Sequence, residues 1–115
     1  MTALVKAGIG ALVLGAALVA AFPSGAQEVA EVALQIEQNR FQPEEIRVKA
    51  GQAFVLVITN KDKGPEEFES KDLRIEKIIP GGKTVRLKMP ALKAGKYPFV
   101  GEYHSETAKA TIVAE

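Results

Sequence analysis

From Val32 onward the chain repeats one device: apolar residues at every second position, in runs too short for helices and separated by turn-forming residues. Val32, Leu34 and Ile36 alternate with Ala33, Gln35 and Glu37, and Ile46 and Val48 flank Arg47. A period of two sends alternate side chains to opposite faces of an extended strand, which is the pattern of a half-buried sheet. Residues 53–59, an unbroken apolar and β-branched run, are predicted as a central strand covered on both faces. Further strands are predicted over residues 73–78, 84–89, 97–103 and 108–113, with Val85, Leu87 and Met89 on one face as core. Between the first two strands, residues 39–43 read as a connection whose Phe41 plugs the core, and residues 60–65 read as a loop by composition. Leu92-Lys93-Ala94-Gly95-Lys96-Tyr97 has the pattern of a tyrosine corner. With no helical period in this region and no internal repeat, the expected fold is an all-β Greek-key sandwich of about seven to eight strands.

Ahead of the strands, Lys6 is followed by an apolar run from Ala7 to Phe22 and then by Pro23-Ser24-Gly25-Ala26. This is the layout of a helical secretory signal peptide, with small residues at Ser24 and Ala26 suiting cleavage before Gln27. The apolar run is short of the roughly 20 residues that span a bilayer, and no basic stop-transfer cluster follows. The expectation is therefore a leader over residues 1–26, one exported domain over residues 27–115, and no stable membrane insertion once the leader is removed. The chain contains no cysteine and one histidine. Disulfide staples, thiolate metal sites and cysteine nucleophiles are thereby excluded, and stability must come from the sheet core. Lys and Arg number 15 against 14 Asp and Glu, and Lys6 lies in the leader, so the domain is balanced in charge, which argues against a nucleic-acid surface. Ser70 and Ser105 lack a nucleophile elbow, and no phosphate-cradling loop is present.

Chemistry is concentrated in two short stretches. In Glu66-Glu67-Phe68-Glu69-Ser70, strand alternation puts Glu67 and Glu69 on one face and Glu66 and Phe68 on the other. Two carboxylates on one face repel, and a bound cation would relieve that repulsion. Glu102 and His104 have the same i, i+2 spacing, and Glu76 is a further acidic candidate on the following strand. Oxygen donors with one imidazole suit Fe, Mn or Cu(II) better than soft Cu(I), with Zn also compatible. Charge on a sheet edge also discourages strand addition, and Lys61, Lys63 and Lys71 are available to pair with it, so a solvated edge is the competing reading.

Tyr97-Pro98-Phe99-Val100-Gly101-Glu102-Tyr103-His104 resembles the Tyr-x-Phe-x-Cys-x-x-His metal loop of cupredoxins, with Gly101 where the thiolate would be. The resemblance runs from the Phe41-Gln42-Pro43 and Val48-Lys49-Ala50-Gly51 region to the C-terminus, and implies a cupredoxin-like sandwich. Carried over by position, the blue-copper set His, Cys, His, Met becomes Glu66, Gly101, His104 and Ala108, which cannot form a blue-copper centre. The glutamate-rich stretch, with Asp72-Leu73, Glu76 and the Gly101-Glu102-Tyr103-His104 segment, is similar to cysteine-free cupredoxin-like domains of bacterial periplasmic iron-uptake systems. That resemblance implies a periplasmic protein that binds iron and/or copper through Glu66, Glu67, Glu69, Glu76, Glu102 and His104. It further implies an iron permease or another iron-uptake component as partner, with ferroxidase-type oxidation of ferrous iron as the stronger form. The alternative is a metal-free β-sandwich adaptor that docks on a membrane transport partner through its acidic edge and Tyr103.

Overall fold

The computed structural model describes residues 29–115; the expected leader lies outside the described residues. Nine strands form two mixed sheets: β1 (Ala30–Glu37), β2 (Arg40–Gln42), β3 (Glu45–Val48), β4 (Phe54–Asn60), β5 (Glu66–Ser70), β6 (Ile75–Ile79), β7 (Thr84–Met89), β8 (Gly95–Gly101) and β9 (Lys109–Ala114). One sheet has the order β2-β1-β4-β7 and the other β3-β9-β8-β5-β6. The chain crosses between the sheets repeatedly, so β1 lies parallel to β4 and β3 parallel to β9, while the remaining pairs are antiparallel. The all-β sandwich expected from the alternation is the fold observed.

Three local differences from expectation have physical causes. Residues 40–42, read as part of a connection, form β2, because the tight turn at Gln38 and Asn39, both at positive φ, folds Arg40–Gln42 back onto β1. The strand predicted to reach Tyr103 stops at Gly101, and Glu102–His104 form a 3₁₀ turn. The strand expected from residue 73 begins at Ile75, after a turn in which the Ser70 hydroxyl accepts from the Leu73 N–H.

The core is the interior between the sheets, where Leu34, Ile36, Leu56 and Ile58 meet Ile46, Phe68, Phe99 and Ile112. Phe41 is fully buried, edge-on to Phe99 at 4.9 Å and Phe68 at 6.4 Å between ring centroids. Met89 is a core residue, and the Tyr97 hydroxyl donates to the Lys93 carbonyl at 2.7 Å, closing the tyrosine corner.

The loops at one end of the sandwich are tied together. Buried Asn60 donates to the carbonyls of Gly64 and Ile79 and accepts from the Asp62 N–H. The Asp62 carboxylate in turn accepts from the N–H groups of Gln38 and Asn39. Thr107 donates to the Asn39 carbonyl, which joins the segment after β8 to the same frame. These bonds satisfy loop backbone that no ladder reaches, and they hold the end of the sandwich where β5 begins and β8 finishes.

Candidate metal centre

β5 lies between β8 and the edge strand β6, and its alternation is preserved: Glu66, Phe68 and Ser70 point inward and Glu67 and Glu69 outward. An inward glutamate in an apolar sandwich needs partners, because an unpaired buried charge costs several kcal/mol. Glu66, only 1% exposed, has them. Its Oε1 accepts from the N–H groups of Glu67 and Tyr103, both at 2.9 Å, and its Oε2 accepts from His104 Nδ1–H at 2.8 Å.

Gly101 makes this arrangement possible. A Cβ at that position would lie 2.6 Å from Glu66 Cδ and 2.7 Å from both Glu66 Oε2 and Ala108 Cβ. The loop closes on itself through Gly101 N–H to the Ala108 carbonyl at 2.9 Å and Ala108 N–H to the His104 carbonyl at 2.8 Å. Glu66, Gly101, His104 and Ala108 therefore do converge, and the Glu66 carboxylate occupies the space among them. Gly101 and Ala108 offer no side-chain donor, and both Glu66 oxygens are engaged within the chain. A blue-copper centre does not fit this donor set.

On the outer face, Glu69 stands opposite Glu76 of β6 and Val100 of β8, and Glu102 follows directly after β8. The Glu69 carboxyl is held above the usual carboxylate range, first by partial burial, then by its hydrogen bond to Glu102 and the charge there, then by Glu76 in the same two ways. Two carboxylates share a proton more readily than they share a site as anions. The ion pairs among the described residues are Arg47 with Glu45 and Glu115, Arg86 with Glu31, and His104 with Glu66. None of them neutralises Glu67, Glu69, Glu76 or Glu102. A cleft of about 580 Å³ lies against Glu69 and Glu102, with Lys71 and Lys109 also on its wall.

The six residues singled out in the sequence are thus divided by the sheet. Glu66 and His104 form an inner pair; Glu69, Glu76 and Glu102 form an outer group, with Glu67 on the same face opposite Ile78. Among the described residues no group of three or more acidic or histidine side chains is arranged to hold a metal ion. The backbone N–H of Tyr103, a partner of Glu66, was invisible to sequence reasoning, since only the 3₁₀ turn aims it inward. The available signal was Gly101, whose missing side chain leaves the space that Glu66 fills.

Known proteins share this fold. Auracyanin A, a "blue" copper protein from Chloroflexus aurantiacus, superimposes with a TM-score of 0.65 at 15% identity over 76% of this chain and 100% of that one. A copper binding protein solved by NMR in its apo form gives a TM-score of 0.65 at 18% identity, over 74% of this chain and 86% of that one. Amicyanin from Paracoccus versutus gives 0.58 at 17% identity, over 76% and 90%. At such identities these likenesses establish the fold alone. An uncharacterized protein of Rickettsia prowazekii (strain Madrid E) is 35% identical over 85 residues, covering 74% of this chain and 68% of that protein. The cupredoxin-like domain family matches residues 10–114, nearly the whole chain, and with the two-sheet sandwich and its strand order this makes the protein a member of that family.

Proposed function

We propose that this protein is a periplasmic, iron-binding member of the family that works in iron uptake, holding its cargo at the outer carboxylate group of Glu69, Glu76 and Glu102, with Glu67 beside it. The observation that carries this reading is the approach of Glu102 and of Glu76 to Glu69, with none of the three in an ion pair among the described residues. Strand register sets Glu69 opposite Glu76, Glu102 follows β8 directly, and oxygen donors of this kind suit a hard or borderline cation. Iron suits oxygen donors of this kind, and anionic oxygen stabilises the ferric over the ferrous state. Cu(II) shares the preference for oxygen and nitrogen donors, so copper is a competing cargo for the same site. The composition of residues 1–26 supports export with cleavage before Gln27, and a permease that accepts iron from the domain is the partner this reading requires.

The test is calorimetric titration of the purified chain with Fe(II) under argon, Cu(II), Mn(II) and Zn(II), alongside Glu69→Gln and Glu102→Gln variants. Micromolar or tighter binding that the variants weaken at least tenfold supports the reading. Binding no tighter than about millimolar, worth roughly 4 kcal/mol, or binding unchanged when Glu69→Gln and Glu102→Gln are combined, overturns it in favour of the metal-free adaptor. With dioxygen supplied as acceptor, loss of chromogenic Fe(II) faster than in buffer identifies the oxidising form. Mass spectrometry of exported protein beginning at Gln27 checks the leader.

A further inference from the structure

β6 and β7 are the outermost strands of their sheets and border the same side of the sandwich. Asn60 ties them together there: its N–H donates to the Lys83 carbonyl at 2.9 Å and its side chain donates to the Ile79 carbonyl at 3.0 Å. β6 therefore ends, and β7 begins, at one level, and the two edges run in opposite directions. Among the described residues no strand pairs with the far side of either. In an antiparallel pair only alternate residues bond the partner strand, so the bond from Asn60 to Lys83 makes Val85 and Leu87 bonded residues too. The backbone groups of Thr84, Arg86 and Lys88 are left facing out from the edge. β6 borders the same side in the reverse direction on the opposite layer, so the same handedness leaves it the groups of its outward-facing Glu76 and Ile78.

An open edge is a template for another strand, and charge ordinarily guards it. Here the two edges carry opposite signs. β7 shows Arg86 and Lys88, whereas β6 shows Glu76, with Glu67 and Glu69 of β5 behind it. Apolar surface accompanies the charge: Ile78 is 49% exposed, and Ile75, Val85 and Leu87 are only half-buried. The other side of the sandwich lacks these features, because β2 is three residues long and on β3 Arg47 is already paired with Glu45 and Glu115.

We infer that this chain forms a two-fold dimer through that side, β7 of each copy adding antiparallel to β6 of the other. A two-fold axis parallel to the strands and midway between the layers continues the four-stranded sheet of one copy into the five-stranded sheet of the other, so both edges are closed at once. Rotation about such an axis keeps every residue at its level along the strands. Because Lys83 and Ile79 are level, Lys83 of one copy faces Ile79 of the other, and the register follows. Arg86 falls opposite Glu76 and Thr84 opposite Ile78 on the outer face, each joining residues whose backbone groups are free. On the inner face Leu87 meets Ile75, and Val85 lies against the aliphatic stem of Lys77. Symmetry alone thus sets an opposite-charge pair outside and an apolar pair inside, the pairings that stabilise adjacent strands. Arg86 binds Glu31 of its own chain through Nη2, which leaves its other guanidinium nitrogens for Glu76 of the second copy. The inference does not rest on the metal reading, since it neutralises Glu76 without drawing on Glu69 or Glu102.

The experiment is analytical ultracentrifugation of the purified, chelator-treated chain at low ionic strength, with Glu76→Lys and Arg86→Glu variants run alone and mixed. Wild type should sediment as a dimer with Kd below about 100 μM. Each variant alone sets like charges opposite one another at both edges, and association should weaken at least about tenfold. An equimolar mixture should restore the dimer, because the lysine introduced in one copy meets the glutamate introduced in the other while native Arg86 meets native Glu76. Both positions are exposed, so the variants keep the fold, which far-UV circular dichroism checks. In wild type the amides of Arg86 and Ile78 should gain protection from hydrogen exchange as concentration rises. A wild-type chain still monomeric at about 1 mM overturns the inference, as does a mixture of folded variants that associates no better than either alone. A dimer that both variants retain uses another surface and overturns it as well. Species growing beyond the dimer would mean that one edge adds head to tail, which overturns the closed two-fold arrangement.

Discussion

Gly101→Ala isolates the contact on which the inner pair depends. Gly101 has φ −90° and ψ 108°, ordinary extended backbone, so alanine meets no conformational penalty there. It would even gain about 0.4–1 kcal/mol from the restricted unfolded chain. The new methyl, however, would sit 2.6 Å from Glu66 Cδ and 2.7 Å from Glu66 Oε2 and Ala108 Cβ, against the roughly 3.5–4.0 Å normal between carbons. None of these atoms is the free end of a flexible chain: Glu66 is held by three hydrogen bonds and Ala108 is fully buried. Overpacking of this kind costs about 1–3 kcal/mol. If Glu66 is expelled instead, bonds to its charged carboxylate worth about 1.5–3 kcal/mol each are lost. The net expectation is destabilisation of about 2 kcal/mol, with a fall in Tm of roughly 8–16 °C for a domain of this size. Urea denaturation measures it, and Glu66→Ala provides the control, since removing that side chain deletes two of the three close contacts. In the Glu66→Ala background Gly101→Ala should cost at least about 1 kcal/mol less. A Gly101→Ala protein as stable as wild type, or an equal cost in both backgrounds, refutes the account of a carboxylate packed against a bare Cα.

Three further outcomes follow from the same structure. Gly101→Cys with Cu(II) gives no intense blue thiolate-to-copper absorption, because Glu66 and Ala108 stand where further copper ligands would be needed; a blue protein contradicts this. Phe41→Ala, which empties a buried site against Phe68 and Phe99, costs about 3–5 kcal/mol in urea denaturation, and a loss below about 1 kcal/mol would show that Phe41 does not fill the core. In metal-free protein Glu69 holds its proton to higher pH folded than unfolded, so the folded state binds more protons in that window and stability falls as pH rises. The contribution is greatest below the ordinary carboxylate range and is lost as pH rises through the raised value. Glu69→Gln should flatten this slope in urea titrations across mildly acidic pH, and an unchanged slope would remove Glu69 as its source.

Much of this protein was legible in the chain itself. Period-two alternation in Val32, Leu34 and Ile36, and in Val85, Leu87 and Met89, reports which face a strand buries, because a strand's two faces have no other way to differ. For the same reason the split of Glu66 and Phe68 from Glu67 and Glu69 was readable before any coordinates. The absence of cysteine is a chemical fact that no folding can alter, and it excludes a blue-copper centre outright. Register and turn geometry were not legible. That Glu69 faces Glu76 depends on how β6 pairs with β5, and that Tyr103 turns its N–H toward Glu66 depends on β8 ending at Gly101. These are contacts between residues distant in sequence, set by packing of the whole sandwich. A glutamate beside an apolar strand residue looks the same in sequence whether it meets water or a buried imidazole. Only the tertiary structure decided that Glu66 is the one turned inward to His104 while Glu69, Glu76 and Glu102 meet outside, because only folding determines which charges must find partners away from solvent.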